Sequence, residues 1–206
     1  MDKAKFWDKV AAKYAKSPIK NMAAYEYTLE RTKSYLKKTD HVLELGCGTG
    51  STALLLAKHV KHIIATDLSR NMIEIGKEKA AAQKISNVEF VQVEVAALEK
   101  GRNAFDVVMA FNLFHLVQSP KAAISELAAC VKKDGLFISK TPCLAGKAWL
   151  FAPMIKVMQL FGKAPYVGML SVAELDNMIT DAGFEILEKG DSPNAPPSHY
   201  IVARKM

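Results

Sequence analysis

The chain reads as an α/β protein, a doubly wound and mostly parallel sheet with helices on both faces. Three observations carry that reading. Short apolar runs suited to buried strands alternate with stretches of helical period along nearly all of the 206 residues. The run Val42-Leu43-Glu44-Leu45 passes straight into the loop Gly46-Cys47-Gly48-Thr49-Gly50, and a helix follows from Ser51. The next apolar run, HIIATD, ends in Asp67, and in a parallel sheet an acid at that strand tip sits beside the first loop.

Taken in order, residues 3–15 form an amphipathic helix in which Phe6, Trp7, Val10 and Tyr14 recur at helical intervals. Ser17-Pro18 breaks it, and a second helix covers 22–36. The strand at 42–45 leads through the glycine loop into the helix STALLLAKHV, and the strand at 62–67 leads into SRNMIEIGKEKAAAQK. Either Ser69 or Asp67 can cap that second helix. Strands follow at 88–95 and 105–110. Then comes a helix over 119–132, with Ser119 as cap, Pro120 at its first position and Asp134-Gly135 as its stop. The fifth strand is 136–142. After it, residues 144–170 are rich in Met and aromatics, with three lysines and no acid. Pro153 belongs in a first helical turn, so a helix there should start near Ala152. It would gather Leu150, Met154, Val157, Met158 and Phe161 on one face. Ser171 and Glu174 then make a capping box, and the chain ends in strands at 184–190 and 198–206 joined by DSPNAPP.

The glycine loop has a chemical character. Three glycines at alternate positions keep it free of side chains, so a ligand can lie against bare backbone and a helix N-terminus. Glu44 at its mouth suits a ligand carrying positive charge and would repel a pyrophosphate. The dinucleotide spacing G-x-G-x-x-G is absent, because Ser51 stands at its final position, which disfavours an NAD-dependent oxidoreductase.

The stretch resembles the first motif of the class I S-adenosylmethionine (SAM)-dependent methyltransferases, a hydrophobic strand followed by (D/E)-x-G-x-G-x-G, here Glu44, Gly46, Gly48 and Gly50. The likeness runs through nearly the whole chain. It implies a Rossmann-like sheet of seven strands, the last antiparallel and lying between the fifth and sixth. It also implies one methyltransferase domain over 1–206, with residues 1–38 as an N-terminal helical lid and 144–170 as a substrate-side insertion.

In such proteins SAM would lie on Glu44, Gly46, Cys47, Gly48 and Gly50. Asp67 would hold the ribose and Leu68 would pack on the adenine. Glu94 and the Val95 N–H would read the adenine edge, although Glu94 replaces the usual Asp. Ala110, Phe111 and Asn112 would line the methionine end. For catalysis the candidates are weak: Tyr14, which as readily reads as a core tyrosine, and His115, whose intrinsic pKa suits a general base but which also suits a structural turn. Methyl transfer from a sulfonium is an in-line displacement that needs mainly orientation, so no fixed catalytic residue is required.

Composition narrows the partners. The net charge is +7, and residues 1–40 hold ten Lys or Arg against five Asp or Glu. RNA, anionic lipid or an acidic substrate could meet such a region, but solvated helix faces explain it better, because the lysines alternate with Ala and aromatics at helical spacing. Cys47, Cys130 and Cys143 have neither disulfide nor metal spacing, the histidines are scattered, and no charged-then-apolar leader opens the chain. A cytoplasmic protein without a metal is expected. No apolar run reaches the length of a membrane span.

Asn112-Leu113-Phe114-His115 does not match the (N/D)-P-P-(Y/F) segment of amino-adenine methylases, and Cys143 alone does not make a cytosine-5 enzyme. The expected acceptor is therefore a small molecule with a hydrophobic part. The alternatives are a non-catalytic SAM-binding module or an RNA methyltransferase. Peripheral membrane contact through 148–161 is a further expectation; the oligomeric state is not legible.

Overall fold

A computed structural model describes residues 3–19, 21–93, 103–191 and 198–206. Seven strands form one sheet in the order β3-β2-β1-β4-β5-β7-β6. They are β1 (His41–Leu45), β2 (His62–Asp67), β3 (Val88–Gln92), β4 (Phe105–Phe111), β5 (Val131–Pro142), β6 (Phe184–Asp191) and β7 (Ser198–Lys205). The pairings β1–β2, β1–β4, β2–β3 and β4–β5 are parallel. β7 runs antiparallel between β5 and β6, as the resemblance implies. The helices are α1 (Lys3–Lys16), α2 (Met22–Tyr35), α3 (Ser51–Leu56), α4 (Arg70–Ala82), α5 (Pro120–Cys130), α6 (Ala148–Leu160) and α7 (Val172–Asp181).

The strand pleat divides the core into two layers. Val42 of β1 packs in a cluster with Leu29 of α2, Leu54 and Leu56 of α3 and Ile73 of α4. Leu43 and Leu45, pointing the other way, pack with Ile124 and Leu127 of α5 and Leu175 and Ile179 of α7. Burying one such side chain contributes on the order of 1.5–3 kcal/mol. This placement sends the carboxyl ends of the parallel strands to one edge, with the order reversing between β1 and β4. Ligands of open α/β sheets bind at such a reversal.

Several local expectations need correcting. The helix at 119–132 ends at Cys130, and β5 starts at Val131 rather than 136. Val131 is fully buried and pairs with Phe105, so tertiary burial claims it for the sheet. Asp134 and Gly135 lie inside the strand, Asp134 at φ 62°, beside the irregularity between Phe105 and Val107. Ser119 stands at the cap of α5 but its side chain makes no capping bond, while Pro120 does occupy the first turn. The helix after the glycine loop is shorter than ten residues: α3 stops at Leu56 and a 3-10 turn, Ala57–His59, closes it.

The helix of the 144–170 segment begins at Ala148, not near Ala152, and Pro153 lies inside it. A 3-10 turn, Ala145–Lys147, leads directly into α6, and Pro153 sits on its solvent side. The apolar face of Leu150, Met154, Val157, Met158 and Phe161 is exposed and does not pad the core. The capping box of Ser171 and Glu174 is present, with both reciprocal bonds. Glu94 and Val95 lie outside the described residues.

Candidate functional site

The site grows from the turn after β1. The Cys47 N–H donates to the Thr66 carbonyl (2.9 Å), one step beyond the β1–β2 ladder, and the Thr66 hydroxyl donates back to the Glu44 carbonyl (3.0 Å). The loop then coils with Gly46, Gly48 and Gly50 all at positive φ (68°, 54° and 73°), which side chains disfavour. Two of these glycines are demanded by packing. A Cβ on Gly46 would stand 2.7 Å from Leu113, and one on Gly50 would stand 2.3 Å from the Phe90 ring, which also lies against Gly76. Gly48 differs. A Cβ there would meet only Tyr14, at 3.7 Å, so its open side faces the cleft.

Asp67 closes the loop from β2. Its Oδ2 accepts from the Gly48 N–H (3.0 Å) and its Oδ1 from the Ser69 N–H (2.9 Å). Ser69, not Asp67, caps α4, accepting from the Met72 N–H through its hydroxyl. Burial pushes the Asp67 carboxyl up, against the pull of the backbone N–H groups of Ser69, Gly48 and Leu68. A carboxylate accepts about four bonds, so capacity remains for hydroxyls of a ligand beside these backbone donors.

Glu44 is buried beneath the same loop, and its Oε2 has no hydrogen-bond partner. Burial, reinforced by Asp67, raises its carboxyl to about 8. A buried carboxyl with one oxygen left unpaired suits a ligand that brings a donor and a positive charge to draw out its proton.

Tyr14 reaches the loop from α1. Desolvation of its hydroxyl, with the charges of Asp67, Tyr25 and Glu44, raises its pKa. The helix is moored by Asp8, whose Oδ1 accepts from the Ser69 hydroxyl (2.6 Å) and the Asn71 N–H (3.0 Å), while its carbonyl accepts from Asn71 Nδ2 (3.1 Å). The Ser69 bond leads in holding the Asp8 carboxyl below its usual range.

Behind the loop, Lys79 of α4 donates to the Thr49 hydroxyl (2.8 Å), the Thr49 carbonyl (3.2 Å) and the Ser51 hydroxyl (3.1 Å). Lys140, near the carboxyl end of β5, reaches the Ala24 carbonyl (3.1 Å) and the Thr28 hydroxyl (3.0 Å) of α2. Burial lowers the pKa of both lysines. Asp8, Lys79 and Lys140 escape a sequence reading, since a lone charge on an amphipathic stretch does not name its partner.

Other expected positions scatter. Leu68 is half-buried beside Asp67, with its carbonyl accepting from Gln92 Nε2 (3.2 Å). Cys47 is buried, and that burial pushes its thiol up. Ala110 is fully buried in the α5-side core, so its side chain belongs to the packing. Phe111 packs partly on the other cluster, and Asn112 turns the chain at φ 54°, its N–H bound to the Lys140 carbonyl (2.7 Å).

His115 lies in the 3-10 turn Phe114–Leu116. Burial lowers its imidazole to about 4, so it is neutral near pH 7, and its buried Nδ1 has no partner. Its carbonyl accepts from the Gly168 N–H (2.6 Å), which pins the stretch after α6 over it. Among the described residues no group of three or more His, Cys, Asp or Glu is placed to hold a metal. No described helix is long and apolar enough to cross a membrane.

Comparisons with known proteins agree with this geometry. A family model described as "Methyltransferase domain" matches residues 42–135, from β1 into β5. Over 156 residues the chain is 27% identical to a ubiquinone biosynthesis O-methyltransferase of Coxiella burnetii, covering 73% of this chain and 66% of that protein. It is 26% identical over 166 residues to a malonyl-[acyl-carrier protein] O-methyltransferase of Paenibacillus, covering 77% of this chain and 60% of the other. The chain thus spans about two thirds or less of the length of these curated relatives. The crystal structure of the PH0226 protein from Pyrococcus horikoshii superposes with a TM-score of 0.75 at 20% identity, over 91% of this chain and 92% of that one. The glycine motif, the strand order and the matched segment agree: residues 42–135 match a methyltransferase domain, set in a fold shared with solved structures such as PH0226.

Proposed function

We propose that the protein transfers a methyl group from SAM to a small-molecule acceptor with a substantial hydrophobic part. The observation that carries this is the junction of Asp67 with Gly48 in the loop after Glu44, whose buried Oε2 has no partner, at the point where the strand order reverses. Asp67 would take the ribose hydroxyls, Leu68 the adenine face, and Glu44 the positively charged methionine end. Gly46, Cys47, Gly48 and Gly50 would supply bare backbone, with Phe111 and Asn112 beyond them. The adenine-edge roles proposed for Glu94 and Val95 and the lining role of Ala110 rest on the family resemblance alone. SAM supplies an activated methyl group. The chain's own task is to orient the acceptor and exclude water, a contribution on the order of 7–11 kcal/mol in favourable cases.

Residues 1–38 would act as a lid, supported by Tyr14 standing against Gly48. Residues 144–170 would contact the acceptor, supported by their place after the carboxyl end of β5 and their exposed apolar surface. Tyr14 and His115 are the candidates to touch it, His115 as a neutral base or a turn residue. The relatives' names, both O-methyltransferases, favour an oxygen acceptor. A small molecule is preferred to nucleic acid because the segment after β4 lacks the base-methylase pattern. A reducing, cytoplasmic setting is supported by the burial of Cys47, Cys130 and Cys143, whose spacing suits neither a disulfide nor a metal.

Parallel calorimetric titration with SAM and with NAD tests the cofactor. Binding of SAM alone is expected, and NAD binding with no SAM binding overturns the reading. Turnover of labelled SAM against apolar and polar acceptor panels then separates an enzyme from a binding module.

A further inference from the structure

The solvent face of α6 inverts the usual pattern of a surface helix. Leu160 is 84% exposed, Trp149 79% and Phe161 73%, and Leu150, Pro153, Met154 and Val157 are exposed beside them. The half-buried inner side carries Ala148, Phe151, Ala152, Ile155 and Gln159. No residue of the helix is buried. A water-facing helix surface this apolar marks a docking surface.

Its charges choose the occupant. Lys147 stands at the N-terminal cap, Lys156 on the flank and Lys163 just beyond the C-terminus, and residues 144–170 contain no Asp or Glu. A second copy docking the same face would set these cations against their own equivalents, with no acid in the segment to answer them. A sheet of anionic headgroups over hydrocarbon answers both features. Lysine stems can lie along the apolar face while their ammonium groups meet phosphate, and Trp149 suits the boundary level.

We propose that α6 is a membrane-docking helix that lies flat in the surface of an anionic lipid bilayer. At 13 residues it is about 20 Å long, the scale of an interfacial helix and too short for a span. Because α6 follows the carboxyl end of β5, docking sets the edge carrying Gly48 and Asp67 toward the bilayer. A lipophilic acceptor would then reach the site from the membrane. The docking claim itself rests on no assumption about the acceptor.

Co-sedimentation of the full chain with phosphatidylglycerol–phosphatidylcholine vesicles, against phosphatidylcholine alone, tests it. Binding to the anionic vesicles is expected to be stronger by roughly tenfold or more, and to weaken with salt. Trp149→Glu with Leu160→Glu should abolish it while melting temperature and SAM affinity stay unchanged, since both side chains are exposed. The proposal is overturned if the wild-type chain stays in the supernatant, or if the double variant pellets equally. A dimer dissolved by the variant, without vesicle binding, likewise overturns it in favour of a second copy. No turnover is read, so failure of the methyltransferase assay and failure of docking are separate results.

Discussion

The Asp67 carboxylate and the Gly48 backbone are joined by a hydrogen bond of 3.0 Å, so a side chain at the tip of β2 holds the glycine loop after β1. Charge-assisted bonds of this kind contribute about 1.5–3 kcal/mol each. Asp67→Ala should therefore weaken SAM by about tenfold or more and lower the melting temperature modestly through the freed loop. Calorimetry and thermal melting read the two effects separately. Unchanged affinity would remove Asp67 from the binding site.

Gly48 and Gly50 should fail differently. Gly50→Ala drives a methyl into the Phe90 ring, and overpacking typically costs about 1–3 kcal/mol, to which the left-handed backbone adds. A large loss of stability is expected. Gly48→Val carries the same left-handed strain, but a Cβ there meets only Tyr14 at 3.7 Å, so the variant should lose less stability than Gly50→Ala and yet bind no SAM, its side chain filling the cleft. A folded Gly48→Val protein with normal affinity would show that the cofactor lies elsewhere.

The mooring of α1 predicts coupled behaviour of Asp8 and cofactor. Asp8 caps the start of α4 from another helix, and losing a capping group costs roughly 1 kcal/mol. Asp8→Ala should raise amide exchange across residues 3–16, and in the wild type S-adenosylhomocysteine should add protection there. Equal exchange with and without ligand would exclude a lid. The Asp8 carboxyl is depressed, so its contribution is present above the unfolded value near 3.8 and fades as pH falls through the lower folded value.

Glu44 has the opposite sign. Its folded pKa of about 8 lies above the unfolded 4.5, so the folded chain holds a proton that the unfolded chain has lost between those values. Stability falls as pH rises from about 4.5 toward 8 and levels off above. Glu44→Gln should flatten that slope in denaturant titrations across the window. For a ligand whose positive charge pairs with ionised Glu44, affinity of the wild type rises with pH up to about 8. The Gln variant should lose this dependence. A pH-independent SAM affinity in the wild type would separate Glu44 from the cofactor's charge.

Much of the architecture was legible because it follows from local pattern. Apolar runs, helical periods, Pro120 in a first turn and the Ser171–Glu174 box are decided by residues a few positions apart, and the structure keeps them. So is the glycine loop, whose left-handed turns only glycine adopts easily. Where long-range burial competes, the local signal fails. Val131 leaves the helix pattern of 119–132 because a place beside Phe105 buries it fully. Asp134-Gly135, which reads as a helix stop, becomes a kink within β5.

The sequence alone therefore determined the alternating α/β order, the strand-loop-helix unit at Gly46–Gly50 and the acid at the tip of β2. Only the tertiary structure decided that Asp67 binds the Gly48 N–H, that Lys79 braces the loop from α4 while Asp8 ties α1 to the start of α4, and that Glu44 Oε2 is left without a partner. It also decided that the apolar face of α6 points outward. The reason is physical. Period and turn chemistry act over neighbouring residues and can be read along the chain. Hydrogen-bond partners, burial and exposure depend on which segments the sheet order brings together, and that order is set by the packing of the whole.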